Sequence, residues 1–364
     1  MRATRLAHAI ETGALVLPEA GRIAVFRPAP DDDLSALPAA RVSVVTSDRV
    51  AQAAFAAQGL AVARRAEPGQ ALAILCLPRA RAHARALFAE AVAAVGPGGP
   101  VVVDGQKTDG IEAMQRDLAQ LGLGAAWVVT KSHGRCFGLV APDAPPAGWA
   151  AAWHEVAGGF LTLPGVFSAD GPDPASVLLA GSLPARLPAR MADLGAGWGW
   201  LSAQALRHEG IATLDLIEAD ADALDCARRN ITDARARFVW EDARRHRPAT
   251  PYDGILCNPP FHAGRSADPA LGQAFIAAAA RMLGPSGSLW LVANRHLPYE
   301  EALAAAFAEV AEIASTASFR VWQASRPRAL SPGRQPGRQL GRQPGRPPKG
   351  SAKRPARTPP GRQR

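Results

Sequence analysis

Four short segments of this chain carry side chains whose types and spacing could do chemistry. The most distinctive is Asn258-Pro259-Pro260-Phe261. The Asn258 amide oxygen and the Pro259 carbonyl are two acceptors one residue apart. The prolines stiffen the turn and remove N–H donors, which leaves that carbonyl free to point outward. Two such acceptors can hold both hydrogens of an –NH₂ group and leave its nitrogen lone pair open to an electrophile. The Phe261 ring can stack on a planar base. The bland alternative is a cis-proline turn with no ligand.

The other three segments lie upstream. Asp193-Leu194-Gly195-Ala196-Gly197-Trp198-Gly199 has glycines at alternate positions. Without a Cβ the backbone can approach a ligand closely, and a helix starting there offers free N–H groups. The spacing is G-x-G-x-G rather than the G-x-G-x-x-G of a dinucleotide site. A tight strand-to-helix turn is the competing explanation. Glu218 follows 25 residues after Asp193. A carboxylate at that strand end can accept two hydrogen bonds from ribose hydroxyls. Asp242, next to Ala243, could accept from an adenine amino group, or could simply cap a helix.

These segments need elements to position them. Apolar runs predict strands at Met191–Leu194, Leu214–Ile217, Arg237–Trp240 and Tyr252–Cys257. Helical spacing follows at 201–208, 221–230, 272–283 and 299–307, with further strands at 288–293 and 319–322. Each chemical segment then falls just after a strand. In an open parallel sheet that is where ligands bind. Residues 1–145 repeat the alternation: strands at 42–46, 71–77, 101–103 and 126–129, helices at 79–95 and 111–121, and Asp48 placed to cap a helix. No glycine-rich loop follows the first of these strands. Pro142 to Pro146 reads as a linker. The expected organisation is α/β throughout, with one domain over 1–145, a second over 146–323 and a tail from 324.

Composition narrows the setting. The net charge is +9, yet residues 324–364 carry 12 Lys or Arg and no Asp or Glu, so residues 1–323 carry −3. The Gly-Arg-rich tail has no apolar period and is expected to be disordered, with a general attraction for polyanions such as RNA. No apolar run is long enough to span a membrane, and the N-terminus lacks a signal-peptide core, which predicts the cytoplasm. Cys76, Cys136, Cys226 and Cys257 are scattered without a C-x-x-C pair. Buried reduced thiols are expected, and no metal site is indicated.

The glycine loop, the strand-end acid and Asn258-Pro259-Pro260-Phe261, in this order, resemble class I S-adenosylmethionine-dependent methyltransferases acting on amino nitrogens. Gly165-Val166-Phe167-Ser168, Asp170-Gly171, His262-Ala263-Gly264, Val292-Ala293-Asn294 and Leu297-Pro298-Tyr299 narrow this further. With Lys131-Ser132-His133-Gly134-Arg135 they look like the ribosomal RNA small subunit methyltransferase C family and its large-subunit relative. The resemblance covers residues 160–323 well, the first half more loosely and the tail not at all. It implies two tandem Rossmann-like methyltransferase domains, the first degenerate and serving RNA binding or structure. It implies S-adenosyl-L-methionine as cofactor and N2 of a guanine in ribosomal RNA as target, with naked RNA or a ribosomal subunit as partner. Carried over by position, Asp193, Gly195, Gly197, Gly199, Glu218 and Asp242 would hold the cofactor. Asn258, Pro259, Pro260 and Phe261 would hold the guanine amino group. Lys131, His133 and Arg135 are candidates for phosphate contact, or for a solvated strand face.

Rival readings are adenine N6 methylation in DNA, glutamine amide methylation in protein, an NAD-dependent oxidoreductase, and an RNA-binding protein without catalysis. The two rival methylations favour Asn-Pro-Pro-Tyr and leave the first half unexplained. The oxidoreductase gives no reason for Asn258-Pro259-Pro260-Phe261.

Overall fold

Apolar runs without polar alternation, such as Leu72-Ala73-Ile74-Leu75-Cys76, suit strands covered on both faces. That stretch is buried throughout. The computed structural model describes residues 2–260, 262–263, 266–267 and 269–328. The first half contains α1 (Arg2–Glu11), β1 (Ile23–Phe26), β2 (Val42–Val45), α2 (Arg49–Ala57), β3 (Ala61–Ala63), β4 (Leu72–Cys76) and α3 (Arg81–Val95). It continues with β5 (Pro100–Gln106), α4 (Ile111–Gln120), β6 (Trp127–Lys131) and β7 (Gly134–Val140). Its seven strands form one sheet in the order β3-β2-β1-β4-β5-β7-β6. The first five are parallel, and β7 runs antiparallel to β5 and β6. Side chains alternate across it with period two. Phe26, Leu75 and Val103 pack under α3 and α4 with Phe88 and Met114. Val25, Ile74 and Val102 pack under α1 and α2 with Leu6 and Phe55.

A hairpin of β8 (His154–Val156) and β9 (Phe160–Thr162) leads into the second half. There follow α5 (Pro174–Gly181), β10 (Arg190–Leu194), α6 (Trp200–Ala205), β11 (Thr213–Glu218), α7 (Ala221–Asn230), β12 (Ala236–Trp240) and β13 (Tyr252–Cys257). A short hairpin, β14 (His262–Ala263) and β15 (Ser266–Ala267), precedes α8 (Pro269–Met282), β16 (Leu283–Asn294), α9 (Tyr299–Ala306), β17 (Phe307–Ser315) and β18 (Phe319–Pro327). The sheet order is β12-β11-β10-β13-β16-β18-β17, position for position that of the first half. The Rossmann-like architecture therefore occurs twice. In neither half is the first strand of the sheet at an edge. The first strand of the first half, β1, runs into Arg27-Pro28-Ala29-Pro30 and has no glycine loop.

Several elements differ from the sequence expectation. α1, β1, β3, β7, α5 and β17 were not expected as elements. β18 continues to Pro327 and pairs there with Phe307, so residues 324–327 belong to the sheet and not to a tail. Residues 329–364 lie outside the described residues. No helix among the described residues is long and apolar enough to cross a membrane. All four cysteines are buried.

Candidate active site

The carboxyl ends of β10, β11, β12 and β13 converge on one cavity of about 410 Å³. Gly195, Gly197, Glu218, Asp242, Asn258, Pro259 and Pro260 all border it. The strand-end logic of a parallel sheet thus brings most of the expected residues together. Phe261 is outside the described residues.

The glycine loop is shaped by backbone hydrogen bonds. Gly195 N–H donates to the Ile217 carbonyl at 2.9 Å, and Gly199 N–H to the Ala196 carbonyl at 3.0 Å. Gly195, Gly197 and Gly199 have φ of 77°, 56° and 87°, in the region that favours glycine. A Cβ on Gly197 would meet no protein atom within 4 Å. Gly197 also lines the cavity, so the missing side chain leaves room for a ligand. Gly199 stands apart from this lining. It does not line the cavity, and a Cβ there would press on Ile231 at 2.9 Å and Ala227 at 3.1 Å. It sets the approach of α6 to α7.

The two strand-end acids hold the loop. Glu218 accepts from Gly197 N–H through Oε2 and from Asp220 N–H through Oε1, both at 2.8 Å. Burial pushes its carboxyl up to about 7, against the lowering effect of these N–H donors. Asp193 is 1% exposed and sits deeper, in a small crevice beneath the loop with Gly195 and Asn258. Its Oδ2 accepts from the Ser202 hydroxyl on α6 at 2.7 Å, and burial raises it to about 7. Asp193 therefore ties β10 to α6 and borders the main cavity only through its neighbours.

Asp242 borders the cavity, but its oxygens are engaged. Arg244 donates to Oδ1 from its backbone N–H at 2.9 Å and from Nε at 2.8 Å, and to Oδ2 from Nη2 at 2.8 Å. Oδ1 thus takes two donors and Oδ2 one, so an adenine amino group at Asp242 would share the carboxylate with Arg244 and find its remaining acceptor position on Oδ2.

Asn258 is oriented from behind. Its Nδ2 donates to Asp173 Oδ2 and to Ser176 Oγ, both at 2.8 Å. A carboxylate only accepts, so the amide nitrogen must face Asp173 and the amide oxygen must face the other way. Among the described residues nothing donates to Asn258 Oδ1 or to the Pro259 carbonyl. The same Asp173 oxygen caps α5 by accepting from Ser176 N–H at 2.9 Å. Asp173 and Ser176 were missed in the sequence. The available signal was Asp173-Pro174, a capping residue followed by the proline favoured at the first helical position. No cis peptide bond occurs among the described residues, so the Asn-Pro-Pro segment is a trans turn.

Bulky Trp198 and Trp200 do not fill the main cavity. Trp198 is buried against Phe160, with ring centroids 5.5 Å apart, and its Nε1 donates to the Phe167 carbonyl at 2.9 Å. It thereby fixes Phe167, which is 56% exposed and stands at the cavity wall. Gly165, with φ 101°, passes directly over the buried His83 ring of the first half. Lys131-Ser132-His133-Gly134 forms the β6–β7 turn, with Ser132 and His133 at φ 51° and 57°. Arg135 is ion-paired to Glu112 at 2.9 Å and donates to Gln115 at 2.9 Å.

Known proteins share this plan. Residues 157–323 match the methyltransferase small domain family. A ribosomal RNA small subunit methyltransferase C from Chromohalobacter salexigens is 35% identical over 270 residues, covering 70% of this chain and 78% of that one. The counterpart from Shewanella oneidensis is 29% identical over 258 residues, covering 68% and 75%. Among solved structures, the T. Thermophilus 16S rRNA N2 methyltransferase, in complex with AdoMet and guanosine, superposes with a TM-score of 0.73 at 27% identity. It covers 89% of this chain and 91% of its own. The match extends well beyond the glycine loop into both halves, and the chain belongs to the ribosomal RNA small subunit methyltransferase C family.

Proposed function

We propose that this protein transfers a methyl group from S-adenosyl-L-methionine to the exocyclic N2 of a guanine in small-subunit ribosomal RNA. The observation that carries the reading is the fixed amide of Asn258. Its nitrogen is doubly engaged by Asp173 and Ser176, which leaves Oδ1 and the Pro259 carbonyl as acceptors in the cavity shared with Gly197 and Glu218.

The residues present fit the cofactor. The room beside Gly197 suits a chain passing close to the backbone. The Glu218 oxygens each keep a lone pair beyond the N–H group they already accept, which suits a ribose diol. When bound, S-adenosyl-L-methionine supplies a methyl group on a positively charged sulfur. Asn258 Oδ1 and the Pro259 carbonyl accept the two N–H bonds of the guanine amine. That holds the amine with its lone pair directed at the methyl site and polarises it as positive charge develops. The proton passes to solvent water only after the nitrogen has become positive, so no strong base is needed at the outset. Phe167 and Phe261 supply aromatic surface for a base turned out of its helix.

On this reading the first half grips RNA and supports the second, Lys131 and His133 contact phosphate, and the enzyme works in the cytoplasm on ribosomal RNA or a ribosomal subunit. The test is methyl transfer from labelled cofactor to undermethylated small subunits, naked ribosomal RNA, DNA and protein, with nucleoside analysis. N2-methylguanine that disappears with Asn258→Ala supports the proposal. Label in DNA or protein alone would refute it.

A further inference from the structure

The cavity is not built by the second half alone. Arg27, Asp48 and Val50 of the first half border it beside Glu218, Ala219 and Asp220. The halves are joined at this point in register. Arg49 N–H donates to the Ala219 carbonyl at 2.8 Å, and Ala221 N–H to the Ser47 carbonyl at 3.0 Å. The Ser47 hydroxyl donates to Asp220 Oδ1 at 2.6 Å, and Trp240 Nε1 reaches the carbonyls of Ala219 at 2.8 Å and Ser47 at 3.2 Å. Residues 47–49 are therefore held against the turn that leaves Glu218.

Donors and acceptors can be counted at this end of the cavity. An adenosine whose ribose lies on Glu218 carries its base onward, and the 6-amino group needs an acceptor there. Asp242 is near, but Arg244 places three donors on it and leaves one acceptor position, on Oδ2, for a group that carries two N–H bonds. No guanidinium is hydrogen-bonded to Asp48 among the described residues. Its Oδ1 accepts the Val50 N–H, at 2.8 Å, as the cap of α2. Burial lifts its carboxyl above the usual carboxylate range, against the lowering effect of the Val50 and Ala51 N–H groups and the Arg27 charge.

We propose that Asp48, from the half without a glycine loop, accepts the 6-amino group of the cofactor's adenine, so that the first half completes the cofactor site. This rests on reading the cavity as the S-adenosyl-L-methionine site. The test is calorimetric titration of the full-length protein with S-adenosylhomocysteine and with S-inosylhomocysteine, in which a carbonyl replaces the amino group. Asp48→Asn and Asp48→Ser both keep an oxygen that can cap α2, so the helix is preserved. Wild type should prefer the adenosyl ligand by about tenfold or more, the scale of a hydrogen bond to a charged acceptor. Asp48→Ser should lose roughly that factor for the adenosyl ligand. Asp48→Asn places an –NH₂ donor in the cavity and should narrow or reverse the preference. Wild-type affinity and an unchanged preference in both variants would reduce Asp48 to a helix cap and overturn the inference. Failure of wild type itself to bind S-adenosylhomocysteine would instead overturn the reading of the cavity.

Discussion

At the scale of single residues, the site relies on amides and carbonyls held rigid by carboxylates. In the role proposed for it Asn258 does no proton chemistry, so what matters is where its oxygen points, and Asp173 decides that. Asn258→Ala should lower kcat about 10²–10³-fold, in line with removal of one preorganised polar group, while leaving S-adenosylhomocysteine affinity intact. Asp173→Asn keeps a good cap for α5 but offers the Asn258 amide a neutral and reorientable partner. It should lower kcat about tenfold with little change in KM for cofactor. A parallel loss of cofactor affinity would show that Asp173 acts through the fold of the loop instead. Glu218 gives the site a pH dependence. Burial raises its carboxyl to about 7, and ribose hydroxyls donate best to its ionised form. Ligand binding then lowers that value and releases a proton, so affinity for S-adenosylhomocysteine should rise as pH increases from 6 to 8. Asp193 also titrates near 7, so the informative quantity is the difference between wild type and Glu218→Gln. A wild-type profile as flat as that of the variant would remove Glu218 from the ribose.

At the scale of elements, what was legible depended on whether a pattern was local. Buried parallel strands such as β13 and the amphipathic α7 were read to the residue, because apolar runs and helical spacing are properties of the segment itself. β17 was not. Its residues, Phe307-Ala308-Glu309-Val310-Ala311-Glu312, continue the Ala- and Glu-rich composition of α9, which favours helix. Antiparallel pairing with β18 decides the matter, and nothing local announces it. β3 has only three residues, and none of them is fully buried. The Asn258 turn and the glycine loop were legible for the opposite reason, since their residue types are costly anywhere else. The contribution of Arg27 and Asp48 to the cavity was invisible, because 170 residues separate Asp48 from Glu218 and only the paired halves bring them together. Gly165 shows how closely the halves fit. A Cβ there would overlap the His83 ring, and φ 101° is unfavourable for any other residue. Gly165→Ala should destabilise the fold by roughly 1–3 kcal/mol, read in denaturant unfolding, as expected of overpacking in a filled interior. It should also displace Phe167 and raise KM for RNA. An unchanged midpoint would mean that the loop over His83 moves freely.

At the scale of the whole molecule, one architecture occurs twice and only one copy carries the glycine loop and the Asn-Pro-Pro turn. The copy without them still meets the other at the working edge of its sheet. Arg64 pairs with Asp225 at 2.6 Å and Arg65 with Asp222 at 2.7 Å beside the Ser47–Asp220 contact, so the seam adds charge pairs to its backbone hydrogen bonds. Such a seam adds no positive surface for RNA. Arg326 is ion-paired to Glu309 at 3.0 Å, and Arg328 Nε donates to the Phe307 carbonyl at 3.0 Å, so both belong to the second sheet. Residues 330–364 hold ten Lys or Arg and no acid; taking those ten from the net charge of +9 leaves −1. A body of that charge has little general attraction for a polyanion, so the terminal segment adds a general attraction to the local phosphate contacts proposed for Lys131 and His133. Ending the chain after Ala329 should therefore weaken RNA binding most at low salt. Each phosphate that the shortened protein leaves unneutralised reduces the slope of log K against log salt by about 0.7 on single strands and 0.9 on duplex, so a slope shallower by roughly 2 or more is expected. Binding of S-adenosylhomocysteine and turnover at saturating RNA should not change. An identical salt slope with and without residues 330–364 would show that the folded body alone supplies the phosphate contacts.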